Sequence, residues 1–365
     1  MQDSFYCPLI YKGRGATSNL VGRFEPHTRE AMDDGWGSMD EEAPPLRTEV
    51  SIDATKSVIN YINSPDIPFD RTINPYRGCE HGCIYCYARP THAYLGLSPG
   101  LDFESRLLMK PDAPAILKKE LAKASYKCAP IALGMNTDAY QPIEREYLLT
   151  RQIIEVLSEA NHPFTLVTKS ALVERDIDLL APMAAKRLVS ISLTITTLDR
   201  QIARRSEPRA AAPERRLETI RRLSEAGIPT GVMVAPVIPA LTDHDMERIL
   251  ESAYAAGARR AGYVFLRLPL ELTDLFQEWL QQYFPLKAHH VMSLVKQSRG
   301  GKTYVSEFGT RMRGEGLFAD LLANRFKLAL KRLDMNNERL QLNTQIFQVP
   351  ESWRAANSHG QMALF

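Results

Sequence analysis

Cys79-Glu80-His81-Gly82-Cys83-Ile84-Tyr85-Cys86 places three cysteines at a C-x3-C-x2-C spacing. Thiolates are soft ligands suited to zinc or to iron–sulfur clusters. With so short a spacing one loop wraps a metal centre, and Gly82 relieves the bend between ligands. A closed zinc site normally takes four ligands, so three cysteines suit a four-iron cluster with one iron left open. The competing reading is a zinc knuckle, with His81 or distant Cys128 as fourth ligand. His81 otherwise reads as a residue of the loop surface.

The chain has 365 residues, enough for one large α/β domain with extensions. A formal net charge of +2 selects no class of partner. Five cysteines, three of them clustered, do not form a disulfide framework. A reducing cytoplasm is therefore expected. No basic region followed by an apolar run opens the chain, so no signal peptide is expected. No run of about 18 apolar residues predicts a membrane span.

From about residue 71, short apolar runs alternate with amphipathic stretches. Residues 131–133, 164–168, 188–195, 230–234 and 262–266 read as buried strands. Residues 113–124, 144–159 and 214–226 read as helices, the last closed by Gly227 and followed by Pro229. With a strand before the cysteine loop this makes six. The alternation predicts a parallel sheet with crossover helices. Residues 1–70 read as an irregular, partly disordered arm, with Lys12-Gly13-Arg14-Gly15, an acidic glycine-rich stretch and Pro44-Pro45. Cys7 falls there and is read as incidental. Residues 271–365 read as a helical extension over 272–283, 289–297 and 317–333, covering the barrel's open side or carrying specificity.

The cysteine spacing, with an aromatic before the last cysteine, resembles the signature of the radical SAM enzymes. Asn74-Pro75-Tyr76-Arg77-Gly78 before the loop and Tyr87-Ala88-Arg89 after it resemble the branch containing spore photoproduct lyase and uncharacterised bacterial relatives. The resemblance spans roughly residues 70–270. It implies an α/β fold with a partial (β/α)6 barrel over residues 71–270. It also implies a [4Fe–4S] cluster held by Cys79, Cys83 and Cys86, with S-adenosylmethionine on the fourth iron. Reductive cleavage would then give a 5′-deoxyadenosyl radical acting on an unknown substrate. A low-potential donor, flavodoxin or ferredoxin, would supply the electron.

Barrels of this type carry their chemistry on loops after the strands. Tyr85 and Tyr87 flank the last cysteine and are expected near the cluster and adenine. In Gly134-Met135-Asn136-Thr137-Asp138, helix capping does not account for all the polar groups. By resemblance Thr137 and Asp138 would grip the amino group of S-adenosylmethionine. Lys169 ends a strand and, by resemblance, would face the carboxylate. Ser192 and Thr194 alternate with Ile191, Leu193 and Ile195, which points hydroxyls into the barrel. Arg209 resembles an arginine that holds the carboxylate or ribose. Val237 or Ile238 would wall the adenine, and Thr242-Asp243 would cap the helix that follows.

Spore photoproduct lyase carries a hydrogen-donating cysteine where Met135 stands. A thioether has no S–H, so repair of that lesion is not expected. The eight arginines of residues 200–222 lack interleaved aromatics, which weakens a single-strand nucleic-acid reading without removing nucleic acid as a partner. Cys128 has no neighbouring cysteine, so no second cluster is expected. The alternatives to an enzyme are a zinc-binding module and an iron–sulfur electron carrier.

Overall fold

The computed structural model describes residues 11, 13–25, 46–337 and 341–353. Cys7, Lys12 and Pro44-Pro45 lie outside the described residues. The strands are β1 (Glu49–Ile52), β2 (Ile59–Tyr61), β3 (Arg71–Ile73), β4 (Tyr76–Arg77), β5 (Arg106–Met109), β6 (Ile131–Leu133), β7 (Phe164–Thr168), β8 (Val189–Thr194), β9 (Thr230–Val237) and β10 (Arg260–Phe265). The helices are α1 (Asp102–Ser105), α2 (Ala113–Leu121), α3 (Glu144–Tyr147), α4 (Leu149–Glu159), α5 (Ile177–Ala185), α6 (Arg200–Ser206), α7 (Pro213–Glu225), α8 (Met246–Ala255), α9 (Leu272–Tyr283), α10 (Pro285–Gln297) and α11 (Gly316–Leu333).

Strands β3, β6, β7, β8, β9 and β10 lie side by side in chain order, all parallel. They are the six expected strands, and their parallel sheet agrees with a partial barrel. β2 extends the sheet as an antiparallel edge, Ile59 opposite Ile73. A small second sheet, β1-β5-β4, stands beside the segment that leads into the cysteines. Both β1 and β2 fall in the stretch read as an irregular arm. Their pairing partners, not their own composition, make them strands.

Alternation sorts the side chains of β8. Val189, Ile191, Leu193 and Ile195 join the large core between sheet and helices. Ser190, Ser192 and Thr194, and Thr196 beyond the strand end, therefore face the concave side. On β9, Val232 and Val234 belong to the core, leaving Gly231, Met233 and Ala235 for the concave face. Gly227 has φ +75 and closes α7, donating to Ser224 O at 2.9 Å. Thr242 does not cap a helix: its hydroxyl accepts from Ile238 N at 2.9 Å and closes the turn after β9.

Segments after β10 do three things. Helices α9 and α10 bury Leu275, Phe276, Trp279, Val291 and Val295 in a second core shared with Cys83, Ile84 and Tyr85. Gly309 N donates to Asp66, whose carboxylate also pairs with Arg311, while Phe265 N donates to Met312 O at 2.8 Å. This loop thus ties the free edge of β10 to the β2–β3 turn, across the open side of the sheet. Residues 343–353 run beneath the strand starts: Asn343 N donates to Arg187 O and Gln348 N to Ala160 O. Among the described residues no helix is long and apolar enough to cross a membrane.

Candidate functional site

The cysteine loop follows the C-terminal end of β3. Cys79 N donates to Phe103 O at 2.9 Å, Cys86 N to Cys83 O at 3.2 Å and Ile84 N to Ser206 O at 3.0 Å. Gly82 has φ +66, and a Cβ there would meet Glu104 Oε2 at 2.6 Å. The bend therefore needs glycine for conformation and for space. Arg89, fully buried, fastens the turn from behind. It donates to Cys83 O at 2.9 Å, Gly82 O at 3.1 Å and Gly100 O at 2.8 Å, and pairs with buried Glu104. Glu104 in turn accepts from Gly15 N and Ala16 N, both at 2.8 Å. Neither the role of Arg89 nor that of Glu104 is evident from the sequence, because both act on backbone carbonyls and amides brought together only by the fold. A charged residue close behind a ligand run was the one available signal.

All three cysteines are free thiols, Cys79 and Cys83 buried and Cys86 half-buried. Burial pushes the Cys79 and Cys83 thiols well up, and the nearby acids Asp138 and Glu207 add to it, against the Lys169 ammonium at Cys83. Dry thiols of this kind become thiolates when a metal takes the proton's place. Among the described residues no three His, Cys, Asp or Glu side chains converge on one point as a single ion requires. A cubane does not require that, because each thiolate takes a different iron. Cys128 lies before the start of β6, whereas the loop follows the end of its parallel neighbour β3. It stands at the opposite end of the barrel and cannot supply a fourth ligand. His81 is buried, not on the loop surface, with Nδ1 3.3 Å from Asp138 Oδ2. The donor set fits a three-cysteine cluster better than a closed zinc site.

The remaining residues divide into engaged and free. Asp138 is engaged: Tyr140 N at 2.9 Å, Thr168 Oγ1 at 2.7 Å and Lys169 N at 2.8 Å all donate to it. Burial alone raises its pKa, but His81 and these donors outweigh that and hold it well below the usual carboxylate range. Thr137 donates to Tyr76 O at 3.1 Å. Arg209 donates to Glu80 Oε1 at 2.6 Å, and its amide donates to His81 O at 3.3 Å. In the ligand-free chain these three residues brace the cysteine loop and its surroundings. Tyr85 is buried, its hydroxyl hydrogen-bonded to Glu207 and, at 3.1 Å, to Thr196; Glu207 also pairs with buried Arg216. Tyr87 is partly exposed, and its hydroxyl donates to Met135 O. Val237 is buried in the large core, and Ile238 in the second core beside Cys83 and Tyr85. Met233 and Ala235 take the concave positions, as the period of two from Val232 and Val234 would have indicated.

Lys169 remains. Its ammonium stands 5.8 Å from the Tyr85 ring centroid, near enough to Cys83 to favour the thiolate. Ser192 and Thr194 share the concave face below it, and Ser192 is half-buried. Lys169 thus stands beside the cysteine loop, and the β8 hydroxyls face the same concave side of the sheet.

A radical SAM superfamily profile matches residues 73–253. An uncharacterised protein of Mycobacterium tuberculosis is 38% identical over 233 residues, 63% of this chain and 68% of that one. An uncharacterised protein of Methanocaldococcus jannaschii is 28% identical over 250 residues, 67% of this chain and 87% of that one. Among solved structures, a spore photoproduct lyase variant with bound AdoMet and dinucleoside spore photoproduct aligns with a TM-score of 0.55. That alignment has 16% identity over 78% of each chain, a likeness of fold. With three free cysteines on the loop after the first of six parallel strands, these matches lead to one assignment: the chain belongs to the radical SAM superfamily.

Proposed function

We propose that this protein is a radical SAM enzyme acting on a substrate laid over the barrel mouth. Cys79, Cys83 and Cys86 would hold one [4Fe–4S] cluster. Lys169, with Ser192 and Thr194, would bind the carboxylate and ribose of S-adenosylmethionine. The group, when bound, supplies one-electron cleavage of S-adenosylmethionine and from it hydrogen-atom abstraction. The residues of the chain do the positioning. Arg89 and Glu104 lock the loop, Lys169 offsets thiolate charge and receives a carboxylate, and the two cores keep water from the buried side of the loop. Flavodoxin or ferredoxin is the proposed electron source and the cytoplasm the proposed compartment. The lesion bound by the structural neighbour is not proposed as substrate, since Met135 has no hydrogen to give. A nucleic acid of another kind stays within the proposal.

The observation that carries this reading is the set of three free cysteines beside a lysine whose ammonium, among the described residues, has no carboxylate partner. Anaerobic reconstitution is expected to give a brown protein absorbing near about 400 nm, with about four irons per chain. Under reducing conditions it is expected to form 5′-deoxyadenosine. Cys83→Ala should lose the cluster, and Lys169→Ala should keep it while binding S-adenosylmethionine more weakly. A colourless protein with one zinc per chain would overturn the assignment, and a brown protein that leaves S-adenosylmethionine intact would make it an electron carrier.

A further inference from the structure

Two arginines beside the barrel mouth lack acceptors for their buried N–H groups. Arg267 follows β10 and is half-buried. Its guanidinium lies 5.0 Å from the ring centroid of Tyr87, the residue after Cys86. Its Nε has no partner, and Nη1 reaches only the Met312 thioether at 3.2 Å, a weak acceptor. Arg299 follows α10 and is 2% exposed. Its Nη2 donates to Leu266 O at 2.6 Å and Arg311 O at 3.2 Å, while Nε and Nη1 have no partner. Among the described residues neither arginine pairs with a carboxylate. Asp66, whose carboxylate feels the Arg267 charge, is held by Arg311 and Gly309 N. Burial and then the neighbouring Arg267 charge push the Arg299 pKa down to about 10, still cationic at neutral pH.

A buried N–H without an acceptor is costly, and two like charges side by side add to that. The phenyl ring of Phe265, 5.3 Å from the Arg299 guanidinium, offsets only part. An oxyanion would satisfy both needs, since a guanidinium grips phosphate or carboxylate with two parallel bonds. We propose that Arg267, backed by Arg299, is an oxyanion site that receives a phosphate or carboxylate group of the substrate. This rests on the reading of the mouth as the place where substrate lies. Arg267 lies over the ring of Tyr87, the residue after Cys86, so an anion on it sits beside the cysteine loop. The loop of residues 299–313 that closes the sheet's open side brings Arg299 and Arg311 to this place.

The test uses the full chain and inorganic phosphate followed by 31P line broadening, with acetate as competitor. Saturable phosphate binding is expected, weakened about tenfold or more in Arg267→Gln and unchanged in Arg313→Gln, an exposed arginine of the same loop. Displacement by acetate at similar concentration would mark a carboxylate as the ligand, and poor displacement a phosphate. S-adenosylmethionine affinity of the reconstituted Arg267→Gln variant should match the parent. A fall would give the site to the cofactor's carboxylate and overturn the proposal, as would phosphate binding that ignores Arg267 or no phosphate binding. Because the phosphate assay needs no cluster, the two readings fail separately. Binding without 5′-deoxyadenosine formation removes the enzyme, and 5′-deoxyadenosine formation without binding removes only this site.

Discussion

At Gly15 an added Cβ would run into the Gly82 carbonyl between two of the cysteines. The Gly15 and Ala16 amides are meanwhile spent on Glu104, the carboxylate that also holds Arg89. Glycine is thus required here for close approach of two backbones, one belonging to the cysteine loop. Gly15→Ala must push the segment off the loop or distort it. A loss of about 1–3 kcal/mol is expected, the usual cost of overpacking. Urea unfolding of the metal-free chain checks it, and a midpoint equal to the parent's would show that residues 13–18 merely rest on the loop. The C-x3-C-x2-C spacing of Cys79, Cys83 and Cys86 was legible in the sequence because such a spacing is local. The sequence did not disclose what Asp138 and Arg209 hold within the chain, because their partners are not local. His81 reaches Asp138 from the cysteine loop and Thr168 with the Lys169 amide from the end of β7, and Glu80 meets Arg209 across 129 positions. Polar side chains after a strand look alike whether they face a ligand or a neighbouring loop.

Among the elements, α9 has the clearest duty toward the site. Its Leu275, Phe276, Trp279 and Leu280 are fully buried against Ile84 and its neighbours. Trp279 stacks on Phe276 at 5.5 Å and its indole donates to Arg205 O at 3.1 Å, just ahead of the Ser206 carbonyl that receives Ile84 N. Trp279→Ala should cost about 3–5 kcal/mol, and Trp279→Phe nearer 1 kcal/mol, about one hydrogen bond. Denaturant unfolding gives both values, and iron content after reconstitution should fall with them. Full iron loading in Trp279→Ala would show that the loop holds its shape without the helix. The long helices were legible by their apolar period. Strands β1, β2, β4 and β5, of two to four residues, were not. β1 finds its partner 57 positions away, Glu49 opposite Arg106, and nothing in Glu49-Val50-Ser51-Ile52 announces it. Helix α5 was also missed, with Pro182 inside an apolar run lacking a clear polar face.

On the scale of the whole molecule, two buried histidines link folding to pH from opposite ends of the barrel. His162 lies beneath β7, where Tyr126 and Phe347 pack on it, so its surroundings include the strap of residues 343–353. His92 lies near the cysteine loop against Phe103, its Nε2 2.9 Å from Arg106 O. Burial is the main cause that pushes each imidazole down to about 4, against carbonyl contacts that oppose it. In the unfolded chain both titrate near about 6.5. Between those values the unfolded state binds more protons, so stability must fall as pH drops from about 6.5 toward 4 and level off above 6.5. Each group contributes on the order of 3 kcal/mol at full effect. The two together should make stability steeply pH-dependent before most carboxylates titrate. Urea midpoints of the metal-free chain between pH 5 and 7.5 give the slope. His162→Gln keeps a hydrogen-bonding group for Tyr126 and removes the titration, so the slope should fall by about half. An unchanged slope would mean that water reaches the ring, and that the strap beneath the barrel does not seal it.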